Sequence, residues 1–153
     1  MKYYFAFFFH LLLFYNFGQT NSSTATKYLS TGWYYITTVD KGIPKNLFKK
    51  NEIFYIDSTP IITVKNFTDL SIYKDNTGIF GLQIKLDKKG TKAWSIATEN
   101  SIGKKLALII DDELYHTPYV NNQINVGISA LNRGDLTEDE LNKIKIRLEK
   151  EKK

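Results

Sequence analysis

Few side chains of this 153-residue chain could do chemistry, and they are poorly grouped. Asp111, Asp112 and Glu113 stand side by side and could supply paired carboxylates for acid–base hydrolysis. Their setting, between the apolar run KLALII and the return ELYH, instead marks them as the solvated tip of a hairpin. Ser129 follows Gly127 as in a G-x-S-x-G nucleophile elbow. Leu131 stands where the second glycine is needed, however, and the serine falls inside a predicted strand, so Ser129 reads as structural. The two histidines are His10 and His116. Next to Tyr115 and Tyr119, His116 could serve as a ligand or proton carrier, but a lone imidazole outside the N-terminal apolar run supplies a metal site poorly. The chain has no cysteine, which excludes a disulfide scaffold, a thiolate zinc site, a cysteine nucleophile and a lipid-modified cysteine. No calcium-loop spacing is present. The residues therefore predict no catalytic set, no metal and no cofactor.

The composition, 42% apolar and 24% charged, is that of one globular domain. The net charge of +5 comes from 19 Lys against 2 Arg. Lysines fall in scattered pairs, Lys49-Lys50, Lys88-Lys89 and Lys104-Lys105, and arginine, which reads phosphates and base edges bidentately, is nearly missing. This predicts solubility and no nucleic-acid partner.

The elements that must position these residues follow from pattern. One positive charge at Lys2, an apolar run from Tyr3 to Phe14 broken only by His10, and a small polar exit form a signal peptide over 1–19. The run is too short to cross a bilayer, and no second one follows, so no stable membrane insertion is expected after signal removal. Residues 20–27 read as a flexible leader. The aromatic and β-branched run Trp33 to Val39 predicts a strand ending at Asp40-Lys41-Gly42, and Asn51 to Ile56 a second, closed by Asp57-Ser58-Thr59-Pro60. These make residues 28–59 a β-rich N-terminal extension. In the stretch IFGLQIKLD, Phe80, Leu82, Ile84 and Leu86 alternate with polar and small residues, the mark of a half-buried antiparallel strand.

Asp87 caps a predicted helix to about Asn100, with Ala93, Trp94, Ile96, Ala97 and Asn100 at inner and flanking positions and Gly103 as the left-handed stop. KLALII and ELYH form a hairpin about Asp111-Asp112. Gln123 to Leu131 predicts another strand, with Ile124, Val126, Ile128 and Ala130 on one face. Thr137 and Glu140 form a capping box, Leu136 staples onto Leu141, and Leu141, Ile144 and Leu148 make the buried stripe of a last helix. The expected fold is α+β, an antiparallel β-sheet with two α-helices packed on one face.

In that order of elements, the chain resembles the head subdomain of the first periplasmic domain of the protein-export membrane proteins SecD and SecDF. The resemblance rests on the strand ending in Leu86-Asp87, Gly90, the helix ending in Thr98, and the Ile102-Gly103-Lys104 link. It continues through the strand holding Ala107 and Asp111, Pro118, Ile124 with Gly127-Ile128, and the capped last helix. It covers about Pro60 to Leu148 and makes residues 60–153 a head-like α+β domain. Asp112 departs from the glycine usual in that hairpin, though Asp tolerates a left-handed turn.

The resemblance implies a periplasmic or extracellular, non-enzymatic binding module that contacts protein or peptide ligands, with exported polypeptide or the translocon as partner. SecD and SecDF couple export to proton flow through acidic residues in membrane spans, and no such spans stand in this sequence. The Lys, Asn and Ile bias points to a bacterial source and discounts the sequons at Asn21 and Asn66. The return strand Glu113 to His116, read as an edge because Pro118 follows it, makes Tyr115, His116 and Tyr119 the candidate ligand-binding residues. The alternative is a small secreted hydrolase using surface carboxylates.

Overall fold

A computed structural model describes residues 27–153; the expected signal peptide and nearly all of the leader lie outside the described residues. The chain runs β1 (Gly32–Ile36), β2 (Ile43–Asn46), β3 (Ile53–Thr63), a 3-10 turn, β4 (Phe67–Lys74), β5 (Phe80–Leu86), α1 (Lys88–Asn100), β6 (Leu106–Ile110), β7 (Glu113–His116), β8 (Ile128–Asn132) and α2 (Glu138–Glu151). The fold is α+β, as expected, with the strands divided between two antiparallel sheets, β2-β3-β1-β6-β7 and β4-β5-β8.

Local signals become local structure wherever they are strong. Asp87 accepts the Gly90 N–H at 2.6 Å and starts α1. Thr137 and Glu140 form the reciprocal capping box of α2, which buries Leu141, Ile144 and Leu148. The hairpin β6–β7 turns on Asp111 (φ 50°) and Asp112 (φ 68°), the left-handed pair a two-residue turn requires.

Two expectations are corrected. Pro60 does not close a strand: β3 is continuous from Ile53 to Thr63, and the register with β1 slips between Trp33 and Tyr34, Tyr34 standing opposite Pro60. A proline lacks an N–H for the ladder, so it sits where a bulge interrupts pairing. β3 thus crosses the expected 59/60 boundary, and β1 lies between β3 and β6; the N-terminal extension is part of the same sheet as the hairpin. The strand expected over 123–131 begins only at Ile128. Gly127 takes φ +67°, which breaks the extended run ahead of β8; Ser129 and Leu131 turn inward and are buried, while Ile124, Val126, Ile128 and Ala130 share the opposite face, with Val126 69% exposed. A β-carbon at Gly127 would stand 2.5 Å from Thr91 Oγ1, so only glycine lets the chain pass α1 so closely.

The core has two parts. One face of the five-stranded sheet (Trp33, Leu106, Leu108, Ile110) shares a cluster with the inner face of the three-stranded sheet (Leu70, Leu82, Ile84, Leu131), Trp94 of α1 and the α2 stripe. The other face buries a separate cluster of Leu29, Tyr34, Leu47, Ile56, Ala107, Ile109 and Leu114. This second cluster is enclosed because the sheet curls until its ends meet: Leu47, just after β2, bridges Leu114 of β7, and the Phe48 N–H donates to the Leu114 carbonyl at 2.7 Å. The result is a small, nearly closed barrel.

Candidate functional site

An apolar opening lies where the two sheets part. A cleft of about 500 Å3 is walled by Trp33 of β1, Trp94 of α1, His116 at the end of β7, the loop from Pro118 to Val126, and β8. Each wall has a local cause. Trp33 points into the shared core and donates its indole N–H to Ser129 Oγ at 3.1 Å. Trp94 lies on the buried face of α1 and donates to the Ile128 carbonyl at 3.1 Å. The two rings touch, with centroids 4.8 Å apart at 48°, and both indole donors are satisfied inside the protein. The loop is tied to α1: the Ile124 N–H donates to Thr98 Oγ1 at 2.9 Å, and Gln123 Nε2 donates to Ser95 Oγ at 3.0 Å. Val126 and Tyr119 stand at the rim, 69% and 65% exposed.

The electrostatics of the cleft are those of a neutral site. No Asp, Glu, Lys or Arg lines it. His116, the one titratable imidazole there, has its pKa driven down from 6.5 to about 4, chiefly by burial and then by the Arg133 guanidinium, so it is uncharged at neutral pH. Its ring meets Trp33 edge to face with centroids 6.3 Å apart.

The three candidate residues separate. His116 and Tyr119 line the cleft. Tyr115 does not: it is 3% exposed, stacks on Phe48 at 4.7 Å, and donates its hydroxyl to Glu113 at 3.1 Å. The strand that carries Tyr115 and His116 is also not the open edge the sequence suggested. β7 pairs with β6 on one side, its Leu114 carbonyl is taken by Phe48, and its Tyr115 carbonyl accepts from Arg133 Nη1 at 2.6 Å. Arg133 also donates to the Phe48 carbonyl at 2.8 Å and forks onto Asp135, which holds the Asp135 carboxyl at a pKa of about 2. Arg133, 8% exposed as a residue, bolts the end of β8 to the barrel through this guanidinium. Pro118, read as marking an unpaired edge, instead gives its carbonyl to the Leu106 N–H at 3.2 Å.

The acids of the hairpin are occupied elsewhere. Asp112 pairs with Lys45 at 2.6 Å and accepts the Leu29 N–H at 2.7 Å; burial alone would raise its pKa, and these partners outweigh that and lower it. Asp111 accepts from the Tyr28 hydroxyl at 3.0 Å. Ser129 is buried beneath Trp33. Among the described residues no group of three or more His, Cys, Asp or Glu could hold a metal ion. No described helix is long and apolar enough to cross a membrane.

Sequence reasoning missed Trp33 and Trp94 as wall residues because it placed them in separate elements with no cue that these meet. The one usable signal was the uncharged stretch Asn121 to Val126, too polar for a buried strand and too poor in charge for an ordinary surface loop.

The profile of the family described as SecDF, P1 head subdomain, matches residues 40–151, further toward the N-terminus than the expected Pro60. Two solved structures share the fold. One is described as SecDF in a super-membrane-facing form, with 23% identity, TM-score 0.57, covering 61% of this chain and 12% of that one. The other is described as a membrane component SecDF that enhances protein export, with 18% identity, TM-score 0.61, covering 80% of this chain and 63% of that one. This chain thus spans less than two thirds of either. No curated protein matches it.

Proposed function

The chain belongs to the SecDF P1 head subdomain family, and on that footing we propose that it is a non-enzymatic binding module of protein export, acting outside the cytoplasm and contacting polypeptide through the cleft between its sheets. The observation that carries the reading is the cleft's make-up. It has an aromatic and aliphatic floor, a rim of Asn121, Asn122 and Asn132, and no charged side chain. Such a surface offers apolar contact and neutral hydrogen bonds without selecting any one charge pattern, which suits a ligand that is a class of unfolded segments.

Export by a signal peptide over 1–19 and a periplasmic or extracellular location belong to the same proposal, supported by the run Tyr3 to Phe14 and by the family. The translocon is the partner that the family favours. The hydrolase alternative has no such support, because Asp111, Asp112 and Glu113 already hold Tyr28, Lys45 and Tyr115 and do not line the cleft.

The test uses the chain's own fluorescence. It has two tryptophans, and both line the cleft, so their emission reports on that site. A tryptophan-free polypeptide held unfolded by alkylation of its cysteines is expected to shift or quench this emission saturably, and the same polypeptide folded with its disulfides intact is expected to leave it unchanged. Equal responses to both forms, or to neither, overturn the proposal.

A further inference from the structure

Each sheet leaves two outer strands, and an outer strand is a row of backbone donors and acceptors in need of cover. In the five-stranded sheet the two outer strands cover each other through the Leu47–Leu114 bridge. In the three-stranded sheet they differ. β4 is blunted: its register slips between Phe67 and Asp69, it carries Asp69 and Lys74, and Lys152 Nζ donates to its Thr68 carbonyl at 3.0 Å. Charges, a bulge and a covering lysine are ordinary protections of an edge.

β8 has none of these. It pairs with β5 alone, Ile84 opposite Ser129 and Leu82 opposite Leu131, and the Leu86 N–H donates to the Gly127 carbonyl at 2.9 Å. Antiparallel ladders use alternate residues, so Gly127, Ser129 and Leu131 turn their backbone groups toward β5, while Ile128, Ala130 and Asn132 turn theirs away. The Ile128 carbonyl is taken by the Trp94 indole. The amide and carbonyl of Ala130 and the amide of Asn132 are left on the outer side of the strand, and these residues line the cleft.

We propose that β8 receives an extended polypeptide as an added strand, with the incoming chain pairing to Ala130 and Asn132 and setting alternate side chains into the cleft. This deepens the polypeptide-binding reading and rests on it. The occupant is a segment whose inward side chains are uncharged and apolar, because a charged side chain would lose its hydration in a cleft whose lining holds no Asp, Glu, Lys or Arg to pair with it. Backbone pairing supplies affinity regardless of sequence, and the cleft supplies the preference.

The probe is a capped heptapeptide of alternating valine and serine, followed by the tryptophan emission of the full chain. A series with one backbone nitrogen methylated at each position in turn is expected to bind with a period of two, since only alternate amides face β8. The variant Ala130→Pro removes an N–H that β5 does not use and is expected to keep the parent melting temperature while binding about tenfold more weakly, the effect of one lost hydrogen bond. Methylation tolerated equally at every position, or unchanged binding by Ala130→Pro, overturns strand addition while leaving the cleft as a polypeptide site. Failure of both the peptide and the unfolded polypeptide to change the emission overturns the proposed function itself. A concentration-dependent dimer that Ala130→Pro abolishes and the peptide cannot displace overturns the proposal in favour of a second copy on β8. The methylation series uses the unaltered protein and decides the matter even if the proline variant unfolds.

Discussion

The five-stranded sheet curls until Leu47 meets Leu114 and packs Ile56, Ala107, Ile109 and Leu114 inside with no solvent exposure, whereas the three-stranded sheet stays open and ends on β8 beside a cleft of about 500 Å3. Both halves are antiparallel and both contribute to the shared core, so the difference is not one of strand chemistry. It lies in what happens to the edges. Closing the barrel removes unpaired backbone and makes that half a source of stability. On β8, by contrast, the backbone groups of Ala130 and Asn132 that face away from β5 stay outside the ladder, beside Trp33 and Trp94, and it is these that the proposed ligand would pair with. Arg133 joins the halves, so the open edge stands at a fixed distance from the closed barrel.

The comparison breaks first if the barrel interior proves dispensable. Ile109 is fully buried at the centre of the second cluster, and Ile109→Ala leaves a cavity that the closed sheet cannot collapse. The expected cost is about 4 kcal/mol of unfolding free energy, read by chemical denaturation. Affinity for unfolded polypeptide should be unchanged in the fraction that remains folded. A cost below about 1 kcal/mol would mean that the barrel tolerates the loss and is not the stable half.

The next effect sharpens the border between the halves, where His116 lies against Trp33. Its folded pKa of about 4 is below the ordinary 6.5, so between those values the unfolded chain binds the additional proton and stability falls as pH drops. The loss begins near pH 6.5, is complete near pH 4, and amounts to something on the order of 3 kcal/mol. Asp135, held at about 2 by Arg133, and Glu140, held at about 2 by Lys49 and the Thr137 amide and hydroxyl, add their losses at lower pH, below about 4.5. In His116→Gln the limb between pH 6.5 and 4.5 should flatten while the lower one remains. Thermal melts at half-unit pH steps read this directly. Parallel pH profiles for variant and parent would mean that the imidazole is not desolvated at the cleft.

What the sequence made legible tracks the range of the signal. The capping box at Thr137 and Glu140, the cap at Asp87, the Asp111-Asp112 turn and the alternation of β5 all depend on residues within a few positions of each other, and all form as read. Closure of the barrel depends on a meeting of residues 47 and 114, and no local pattern encodes it. The reading of β7 as an edge failed for that reason: Pro118 is a true local signal, but the partner that occupies Leu114 comes from a loop 66 positions earlier. β8 was drawn too long because alternation was carried through Gly127, whose positive φ breaks the extended run, although Ile124, Val126, Ile128 and Ala130 do share the face that lines the cleft. Of the candidate residues chosen by type, His116 and Tyr119 line the cleft, while Tyr115, chosen on the same grounds, is core, since an aromatic with a polar tip serves either role and only packing decides.

That ambiguity sets up the smallest effect on stability and the sharpest division between the halves. Tyr119 is 65% exposed and Val126 69%, so truncating them creates no cavity. The one interaction at stake is Lys105 Nζ, 5.2 Å from the centre of the Tyr119 ring, worth about 0.5 kcal/mol at an exposed site. The same ammonium lies 5.1 Å from the Phe54 ring, so it keeps an aromatic partner when Tyr119 is removed. Tyr119→Ala with Val126→Ser should therefore melt within about 2 °C of the parent yet lose most of its affinity for unfolded polypeptide, because the apolar part of the rim is gone. Tyr115→Ala should do the reverse, melting many degrees lower by loss of its packing on Phe48 and leaving the binding of the folded fraction intact. If the rim variant binds normally, the cleft is not the site. If Tyr115→Ala binds weakly while still fully folded, the division between a closed, stabilising half and an open, binding half fails at the strand where the two meet.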